Sequence, residues 1–224
     1  SHLWAVFVDF TKAFDLVRRD VLLERCRALG VSGAFMDALV ALYDRVHLQV
    51  QAGGEVGPAV ASHTGTKQGS ELSPLLFGLF IELLQELITM ECPGAGPLLA
   101  GLRVAAMLYA DDGVLVAETR AACQDLLDVL SAFCRLFGMR VNLAPHKTCV
   151  LVFRRPKQGR VAAAPLTIDG QEVAEQDEYT YLGVRVHATK GMGPAPAALA
   201  ASGRRALHAM MQRARRCHLF QFDM

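Results

Sequence analysis

Two apolar segments that each run into acidic residues dominate the hydropathy pattern of the chain. Residues 3–8 (LWAVFV) lead directly into Asp9, and residues 102–117 hold two further apolar runs that are separated by Asp111 and Asp112. Each run has the length of a buried strand, and the polar break in the second segment has the length of a hairpin turn. The pattern predicts a strand that ends at Asp9 and a hairpin whose turn carries two adjacent carboxylates.

Helical periodicity and short strand patterns alternate through the rest of the chain. Helices are predicted over residues 20–29, 32–42, 73–86, 119–136 and 195–217, and strands near residues 48–52, 60–64, 149–153, 166–168 and 181–186. This order of elements predicts an α+β fold in which an antiparallel sheet is backed by helices.

The most apolar helix candidate follows Pro74 and runs through residues 75–81. It soon meets Glu82, Gln85 and Glu86, which interrupt any membrane span, so we predict a core helix with one solvated edge and no membrane partner. A chain of 224 residues with 52% hydrophobic residues is long enough for a substantial core, and this composition excludes a disordered tail.

The net charge of +1 conceals an asymmetry between the two parts of the chain. Residues 1–138 hold ten Lys and Arg against sixteen Asp and Glu, and residues 139–224 hold thirteen against six. An acidic part that gathers cations and a basic part that contacts phosphates would suit a nucleic-acid enzyme. A solvated basic tail would give the same charge distribution.

The six cysteines show no Cys-x-x-Cys spacing and no paired pattern. Cys26, Cys123 and Cys134 fall on apolar helix positions, which predicts reduced core thiols in an intracellular protein. Neither a zinc site nor a disulfide framework is indicated.

The acidic residues are the candidate chemistry. Adjacent carboxylates repel each other unless a cation neutralises them, although a solvated Asp-Asp turn is a common alternative. Asp9, at the end of a second strand, adds a carboxylate from a distant part of the chain. Mg²⁺ prefers such oxygen ligands, and two ions about 3.5–4 Å apart can stabilise both oxygens of an in-line phosphoryl transfer.

Five sequence blocks in a fixed order extend this interpretation. They are FVDFTKAFD at residues 7–15, TKQGSELSPLLF at 66–77, YADD at 109–112, GMRVN at 138–142 with the Lys-Thr pair at 147–148, and YLG at 181–183. The chain thereby resembles the palm region of a reverse transcriptase, most closely those of non-LTR (LINE-type) retrotransposons. The resemblance implies a ferredoxin-like palm with the acidic strand and the acidic hairpin side by side in the centre of the sheet.

The resemblance also implies a two-metal site. Asp9 and Asp111 match the carboxylates that bind two Mg²⁺ ions, for which Mn²⁺ is a possible substitute, and the Phe10 carbonyl matches a further ligand. Asp112, the second acid of the turn, would assist these ligands.

Other matched positions imply contacts with the incoming nucleotide. Phe14 matches the ring that collides with a 2′-hydroxyl and so selects deoxynucleotides, and Gln68 and Gly69 match a nucleotide-binding loop. Lys67 would approach a phosphate of the nucleic acid, and Lys147 matches a proposed proton donor to pyrophosphate. A core role for Phe14 and solvated surface roles for both lysines are the alternatives.

The remaining matches imply contacts with nucleic acid. Tyr181, Leu182 and Gly183 match the hairpin that grips the primer strand, although Tyr181 could equally serve in packing. Arg204 and Arg205 lie on the final helix, which resembles the start of a thumb, the element that holds a duplex by its phosphates. An exposed face of an ordinary amphipathic helix is the alternative.

We therefore predict a palm over residues 1–155 with part of a fingers insertion at 30–66, a primer-grip-like hairpin over 156–190 and the start of a thumb over 191–224. The expected function is RNA-directed DNA polymerisation with an RNA template, a DNA primer and dNTP, once joined to the missing fingers and thumb segments of a longer polypeptide. Such a protein would be nuclear in an active retrotransposon. A truncated or domesticated nucleic-acid-binding module without polymerase activity is the alternative.

Overall fold

A computed structural model describes residues 2–67, 69–155, 159, 163–193 and 195–216, with side chains up to residue 212. The helices are α1 Ala13–Leu16, α2 Arg19–Ala28, α3 Gly33–Tyr43, α4 Ser73–Glu91, α5 Arg120–Phe137 and α6 Ala195–Arg216. The strands are β1 Leu3–Asp9, β2 His47–Leu48, β3 Gln51–Ala52, β4 Glu55–Val56, β5 Val60–Ala61, β6 Leu98–Leu99, β7 Leu102–Arg103, β8 Ala106–Tyr109, β9 Asp112–Ala117, β10 Cys149–Phe153, β11 Thr167–Ile168, β12 Gln171–Glu172, β13 Glu175–Gln176, β14 Glu178–Tyr181 and β15 Val184–His187.

The main sheet has five strands in the order β13-β10-β1-β9-β8. Its centre is β1, which pairs antiparallel with β10 on one side and with β9 on the other. The interior of β1 is apolar at every position, and Val6 is fully buried, as expected for a strand that is covered on both faces.

The elements β1, α4, β8, β9, α5 and β10 follow one another in the β-α-β-β-α-β order of a ferredoxin-like fold. The predicted α+β class is confirmed, and the acidic strand β1 and the acidic hairpin lie side by side as predicted, although β8 of the hairpin is an edge strand. One detail differs from the prediction of an antiparallel sheet, because the edge strand β13 joins β10 in parallel. The chain reaches β13 through the β11–β12 hairpin rather than a tight turn, so β13 enters the edge in the same direction as β10.

One face of the sheet is covered by helices α4 and α5. Phe80 of α4 contacts Phe133 and Phe137 of α5 edge-on, with ring centroids about 6 Å apart. As predicted, α5 begins after Thr119, whose hydroxyl accepts a hydrogen bond from the Ala122 amide, and ends at Gly138. The helical layer therefore fixes the sheet from behind.

Helix α4 is the only helix in the described part of the chain that is long and apolar enough to cross a membrane. Its inward face lies in the core, as predicted from the acidic residues on its other side. The buried apolar positions are Leu76, Phe77, Phe80, Ile81, Leu84 and Ile88.

The opposite face of the sheet carries a smaller apolar cluster, which includes Ala5, Phe7, Val114 and Val116. The β14–β15 hairpin covers it by packing Tyr179 and Tyr181 against the cluster. Because side chains alternate along a strand, Asp9 lies on the same face as Phe7. The carboxylate therefore points away from the helical layer.

Several predicted strands are wrong in detail. The apolar run at 102–108 divides into β7, which pairs with β6, and β8, which is only partly buried at the edge of the sheet. Residues 48–52 form two short strands, β2 and β3, rather than one; β3 turns at Gly53 and Gly54 to pair with β4, while β2 pairs with β5. Residues 181–186 are not one strand but the turn and second half of the β14–β15 hairpin, which is centred on Leu182 and Gly183. Both residues have positive φ, at 47° and 78°, and this reverses the chain.

Candidate active site

Asp9 and Asp112 are directly opposed residues in the antiparallel pair of β1 and β9. Directly opposed side chains in such a pair lie on one face of the sheet, with Cβ atoms about 4.5–5.5 Å apart. Both residues are half-buried. The register of the central strands therefore brings together two carboxylates that lie about a hundred residues apart in the sequence.

Asp111 lies beside this pair in the two-residue turn that joins β8 to β9. Ala110, the first turn residue, has a φ of 50°, in the left-handed region that a residue with a Cβ rarely adopts. Asp111 itself is exposed at the end of the hairpin. The turn thus places a third carboxylate next to the cross-strand pair, at the open end of the sheet.

The three acids interact electrostatically. Burial raises the pKa of Asp112 above its ordinary value, and the charges of Asp111 and Asp9 raise it further, while Lys147 opposes them. A raised pKa means that the ionised form of Asp112 is disfavoured in the folded chain. A cation in this position would relieve that repulsion.

A loop between α5 and β10 holds Asp9 in place. The Asn142 side-chain amide donates to Asp9 Oδ2 at 3.0 Å, and the Lys147 ammonium lies 3.1 Å from Asp9 Oδ1. The Asp9 amide donates to the Thr148 hydroxyl at 3.1 Å. Each carboxylate oxygen of Asp9 therefore has its own donor, and both donors come from one loop.

Main-chain contacts fix that loop to the end of β1. The Asn142 amide donates to the Asp9 carbonyl at 2.8 Å, and the Thr11 amide donates to the Arg140 carbonyl at 2.8 Å. Phe10 forms an isolated antiparallel bridge with Val141, and its side chain is buried. Asn142 and Thr148 lie within the five sequence blocks, but the sequence does not predict their contacts with Asp9, since hydrogen bonds between distant residues leave no periodic signal.

Phe14 lies on α1, five residues after Asp9. Its half-buried ring packs against Phe77 of α4 with centroids 4.6 Å apart, and its carbonyl accepts a hydrogen bond from the Thr66 amide at 2.9 Å. The packing role that the sequence left open is therefore present, although the residue is not fully buried.

Lys67, the predicted phosphate contact, is exposed; of the predicted nucleotide loop that follows it, Gln68 lies outside the described residues. Gly69 has a φ of 76°, and a Cβ placed on it would meet no atom within 4 Å. Backbone at such a position is open to close approach by a ligand. The Lys67 carbonyl accepts a hydrogen bond from the Ser73 hydroxyl at 2.6 Å, which fixes the start of the loop to the first turn of α4.

The β14–β15 hairpin lies on the same face of the sheet as Asp9. The Tyr179 ring stacks on Phe7 with centroids 4.6 Å apart, and Tyr181 lies 5.5 Å from the same ring. Burial raises the pKa of Tyr179 to about 12 and also raises that of Tyr181. Tyr181 therefore has the packing role that the sequence left open, while Leu182 and Gly183 are exposed at the turn. Tyr179 was not singled out from the sequence.

Helix α6 follows this hairpin and packs against β15. Arg204 and Arg205 are both exposed on it. Their guanidinium groups are available to solvent, as both an ordinary amphipathic helix and a phosphate-binding helix would require.

No cluster of three or more His, Cys, Asp or Glu side chains that could hold a metal occurs among the described residues. The chemistry of the donor set nevertheless fits Mg²⁺, which takes one or two protein carboxylates and completes its shell with water and substrate phosphates. Asp9 supplies such a carboxylate from the end of β1 and Asp111 supplies one from the β8–β9 turn, beside Asp112, whose pKa is raised by burial and further by these two charges. The residues therefore fit a cation that is completed by its substrate.

Residues 1–186 match the family model described as reverse transcriptase (RNA-dependent DNA polymerase). The chain is similar to the retrovirus-related Pol polyprotein from the type-1 retrotransposable element R2 of Popillia japonica, with 27% identity over 82% of this chain and 31% of the relative. It is also 30% identical to the Pol polyprotein of the type-2 element R2DM of Drosophila melanogaster, over 81% of this chain and 17% of the relative. The chain thus spans less than a third of the length of these curated relatives.

Two solved structures share the fold. Apo telomerase from Candida tropicalis truncated from its C-terminal domain gives a TM-score of 0.56 at 13% identity, over 84% of this chain and 34% of that one. Apo telomerase from the same organism gives 0.52 at 12% identity, over 83% and 31%. With the family model matching most of its length, this chain belongs to the reverse transcriptase family and is related to the Pol polyproteins of non-LTR retrotransposons.

Proposed function

We propose that this chain forms the palm of an RNA-directed DNA polymerase, which extends the 3′-hydroxyl of a DNA primer with dNTP on an RNA template. The observation that carries the proposal is the register of β1 and β9, which sets Asp9 opposite Asp112 and beside Asp111. Membership of the reverse transcriptase family supports nucleotidyl transfer as the reaction class. The carboxylates at the end of the sheet support this end as the site of the reaction.

The proposed cofactor is a pair of Mg²⁺ ions, with Mn²⁺ as a possible substitute. Asp9 and Asp111 would be their carboxylate ligands, with the Phe10 carbonyl as a further ligand and Asp112 in an assisting role. When bound, the ions lower the pKa of the primer hydroxyl and offset the charge of the leaving pyrophosphate. Asn142 holds Asp9 through Oδ2, and this orients the carboxylate for such a task.

In nucleotidyl transfer the primer 3′-oxygen forms a bond to the α-phosphorus, and the bond to pyrophosphate breaks. The hydroxyl loses its proton to solvent water, and pyrophosphate gains a proton. We propose that Lys147 donates the proton that pyrophosphate gains. Its half-exposed ammonium lies at the Asp9 carboxylate, within reach of a pyrophosphate group that leaves beside Asp9. A positioned proton donor of this kind contributes about 10²–10⁴-fold to the rate.

On the nucleotide side, we assign Phe14 to the sugar and Gln68 and Gly69 to the nucleotide itself. The Phe14 ring is supported from behind by Phe77, which would hold it rigid against a 2′-hydroxyl. The open backbone at Gly69 favours close approach of a ligand.

On the nucleic-acid side, we assign Lys67 to phosphate, and Leu182 and Gly183 to the primer strand, with Tyr181 anchoring their hairpin to the sheet. Arg204 and Arg205 would contact the duplex backbone from α6. In this assignment residues 1–155 are the palm with part of the fingers insertion at 30–66, residues 156–190 are a primer-grip-like segment, and residues 191–224 begin a thumb. The protein would act in the nucleus as part of an active element.

Primer extension on an RNA template with Mg²⁺ tests the proposal, using the longest polypeptide that contains this chain. The wild type is expected to extend the primer, Asp111→Asn to lose extension by at least about 10²-fold, and Asp125→Asn, an exposed change on α5, to have no effect. Binding of the template–primer without extension by the wild type would instead support a domesticated nucleic-acid-binding module.

A further inference from the structure

Arg19, the first residue of α2, is buried although it is charged. Only 9% of the residue is exposed, and burial lowers the pKa of its guanidinium, which nevertheless stays protonated. Buried guanidinium groups are costly unless their donors are satisfied. The contacts that satisfy this one therefore indicate what Arg19 is for.

Those contacts lead to a single segment, residues 62–67, which we call the strap. Arg19 Nε donates to the Gly65 carbonyl at 2.8 Å, and Nη1 donates to the Ser62 carbonyl at 2.5 Å, while Nη2 lies 3.4 Å from the Ser62 hydroxyl. The guanidinium also lies over the Tyr43 ring, 5.4 Å from its centroid. One planar group therefore fixes two points of the strap main chain.

The strap is also bound directly to the segment that follows β1. The Gly65 amide donates to the Val17 carbonyl at 2.8 Å, and the Thr66 amide donates to the Phe14 carbonyl at 2.9 Å. A Cβ on Gly65 would lie 3.0 Å from the Asp15 carbonyl oxygen, and the φ of Gly65 is 87°. The two segments therefore approach as closely as backbone allows.

The strap links the contacts of Arg19 to the proposed nucleotide site. It ends at Lys67, immediately before Gln68 and Gly69, and one of its hydrogen bonds is made to Phe14 itself. The proposed nucleotide loop and the proposed sugar contact are thus joined through the strap. A displacement of the strap would move both together.

We propose that Arg19 is a positioning residue for the incoming nucleotide, which acts by fixing the strap and, through it, the loop at Gly69 and the ring of Phe14. This inference rests on the proposed function. Arg19 touches no reacting atom, so its loss should weaken nucleotide binding and sugar discrimination more than it slows the chemical step. A purely structural role would instead change the amount of folded protein and leave the kinetic constants of that folded protein unchanged.

The first test measures amide hydrogen exchange in the chain itself and needs no activity. Arg19→Lys retains the charge, but one ammonium cannot replace the two directed donors of the fork. The Gly65 and Thr66 amides are expected to exchange at least about tenfold faster in this variant, with the β1 and β9 amides unchanged. Arg27→Lys, an exposed change on the same helix, should match the wild type. Unchanged exchange at Gly65 and Thr66 would overturn the inference.

The second test measures steady-state kinetics in the polypeptide used for primer extension. Arg19→Lys is expected to raise the KM for dNTP about tenfold, to change kcat less than about threefold and to incorporate more ribonucleotide, whereas Arg27→Lys should change none of these. A fall in kcat alone, or an unchanged KM, would overturn the inference.

If Arg19→Lys does not fold, Tyr43→Leu removes the supporting ring and should shift the KM for dNTP in the same direction. An unchanged KM in that variant would overturn the inference equally. If the wild type itself does not extend a primer, the proposed function fails, while the exchange experiment still decides whether Arg19 holds the strap.

Discussion

Asp9 and Asp112 face each other across the central pair of strands, one at the end of β1 and the other at the start of β9. The neighbouring Asp111 adds a third acid, and Asn142 and Lys147 hold Asp9 from the other side. The site is thus a concentration of negative charge that the fold tolerates by supplying donors to one carboxylate.

Asp112→Asn should change the pH dependence of stability. The folded pKa of Asp112 lies above the ordinary 3.8 expected in the unfolded chain, so the folded state binds more protons between the two values and the free energy of unfolding falls as pH rises through that window. In a chelating buffer, Asp112→Asn should therefore be more stable than the wild type at pH 7, with the difference disappearing below about pH 4. Urea unfolding at three pH values measures this, with Asp125→Asn as the control. A difference that does not vary with pH would contradict the prediction.

Asn142→Ala should lower kcat by about tenfold, because it removes the donor that orients Asp9 Oδ2. Asn142→Asp should lower kcat further, since it adds a fourth carboxylate to the site, next to Asp9. Single-turnover primer extension measures both effects, and Gln49→Ala, an exposed amide in the β2–β3 region, is the matched control. Equal activity of the Ala and Asp variants would show that the contact has no electrostatic role.

Phe14→Val should admit ribonucleotides, with discrimination against them falling by on the order of tenfold or more. The change should also cost about 1–3 kcal/mol of stability, because the ring packs on Phe77. Phe137→Val removes a comparable half-buried ring that packs on Phe80 and Phe133 instead of Phe77, and it should lower stability without altering discrimination. Competition between dNTP and NTP at one template position provides the measurement. Unchanged selectivity in the Phe14 variant would leave only its packing role.

Lys147→Met should reduce the rate of the chemical step by about 10²-fold while leaving the KM for dNTP nearly unchanged, as expected for a lost proton donor. Lys147→Arg should restore little of the rate, because arginine does not release its proton near neutral pH. Rapid-quench kinetics separates the chemical step from binding, and Lys190→Met is the exposed control. Full activity of Lys147→Met would assign this lysine to the surface role that the sequence left open.

The sequence was sufficient for those parts of the site that follow from local patterns. The apolar runs identified β1 and β9, and the polar break before β9 identified the β8–β9 turn that holds Asp111 at the end of the sheet, although the run at 102–108 is divided between β7 and β8. Thr119 and Gly138 marked both ends of α5, because capping residues act within one turn of the helix. Each of these signals depends on neighbours in the chain.

The contacts that could not be predicted are those between distant residues. Asn142 meets Asp9 across 133 positions, and Arg19 meets Gly65 across 46. A single polar residue carries no sign of its partner, since many partners would satisfy its donors equally well. The hairpin at residues 182–183 was predicted as continuous strand for a related reason: Leu182 is not a typical turn residue, and its φ of 47° is imposed by the pairing of β14 with β15.

The most direct test of the central claim measures Mn²⁺ binding to this chain in the presence of a non-hydrolysable dNTP analogue. Binding is detected as the loss of the free-ion signal in electron paramagnetic resonance. The wild type should bind Mn²⁺, Asp9→Asn and Asp111→Asn should each weaken binding by at least about tenfold, and Asp125→Asn should bind as the wild type does. Equal Mn²⁺ affinity in the wild type and the Asp9→Asn variant would contradict the assignment of these carboxylates to a metal site.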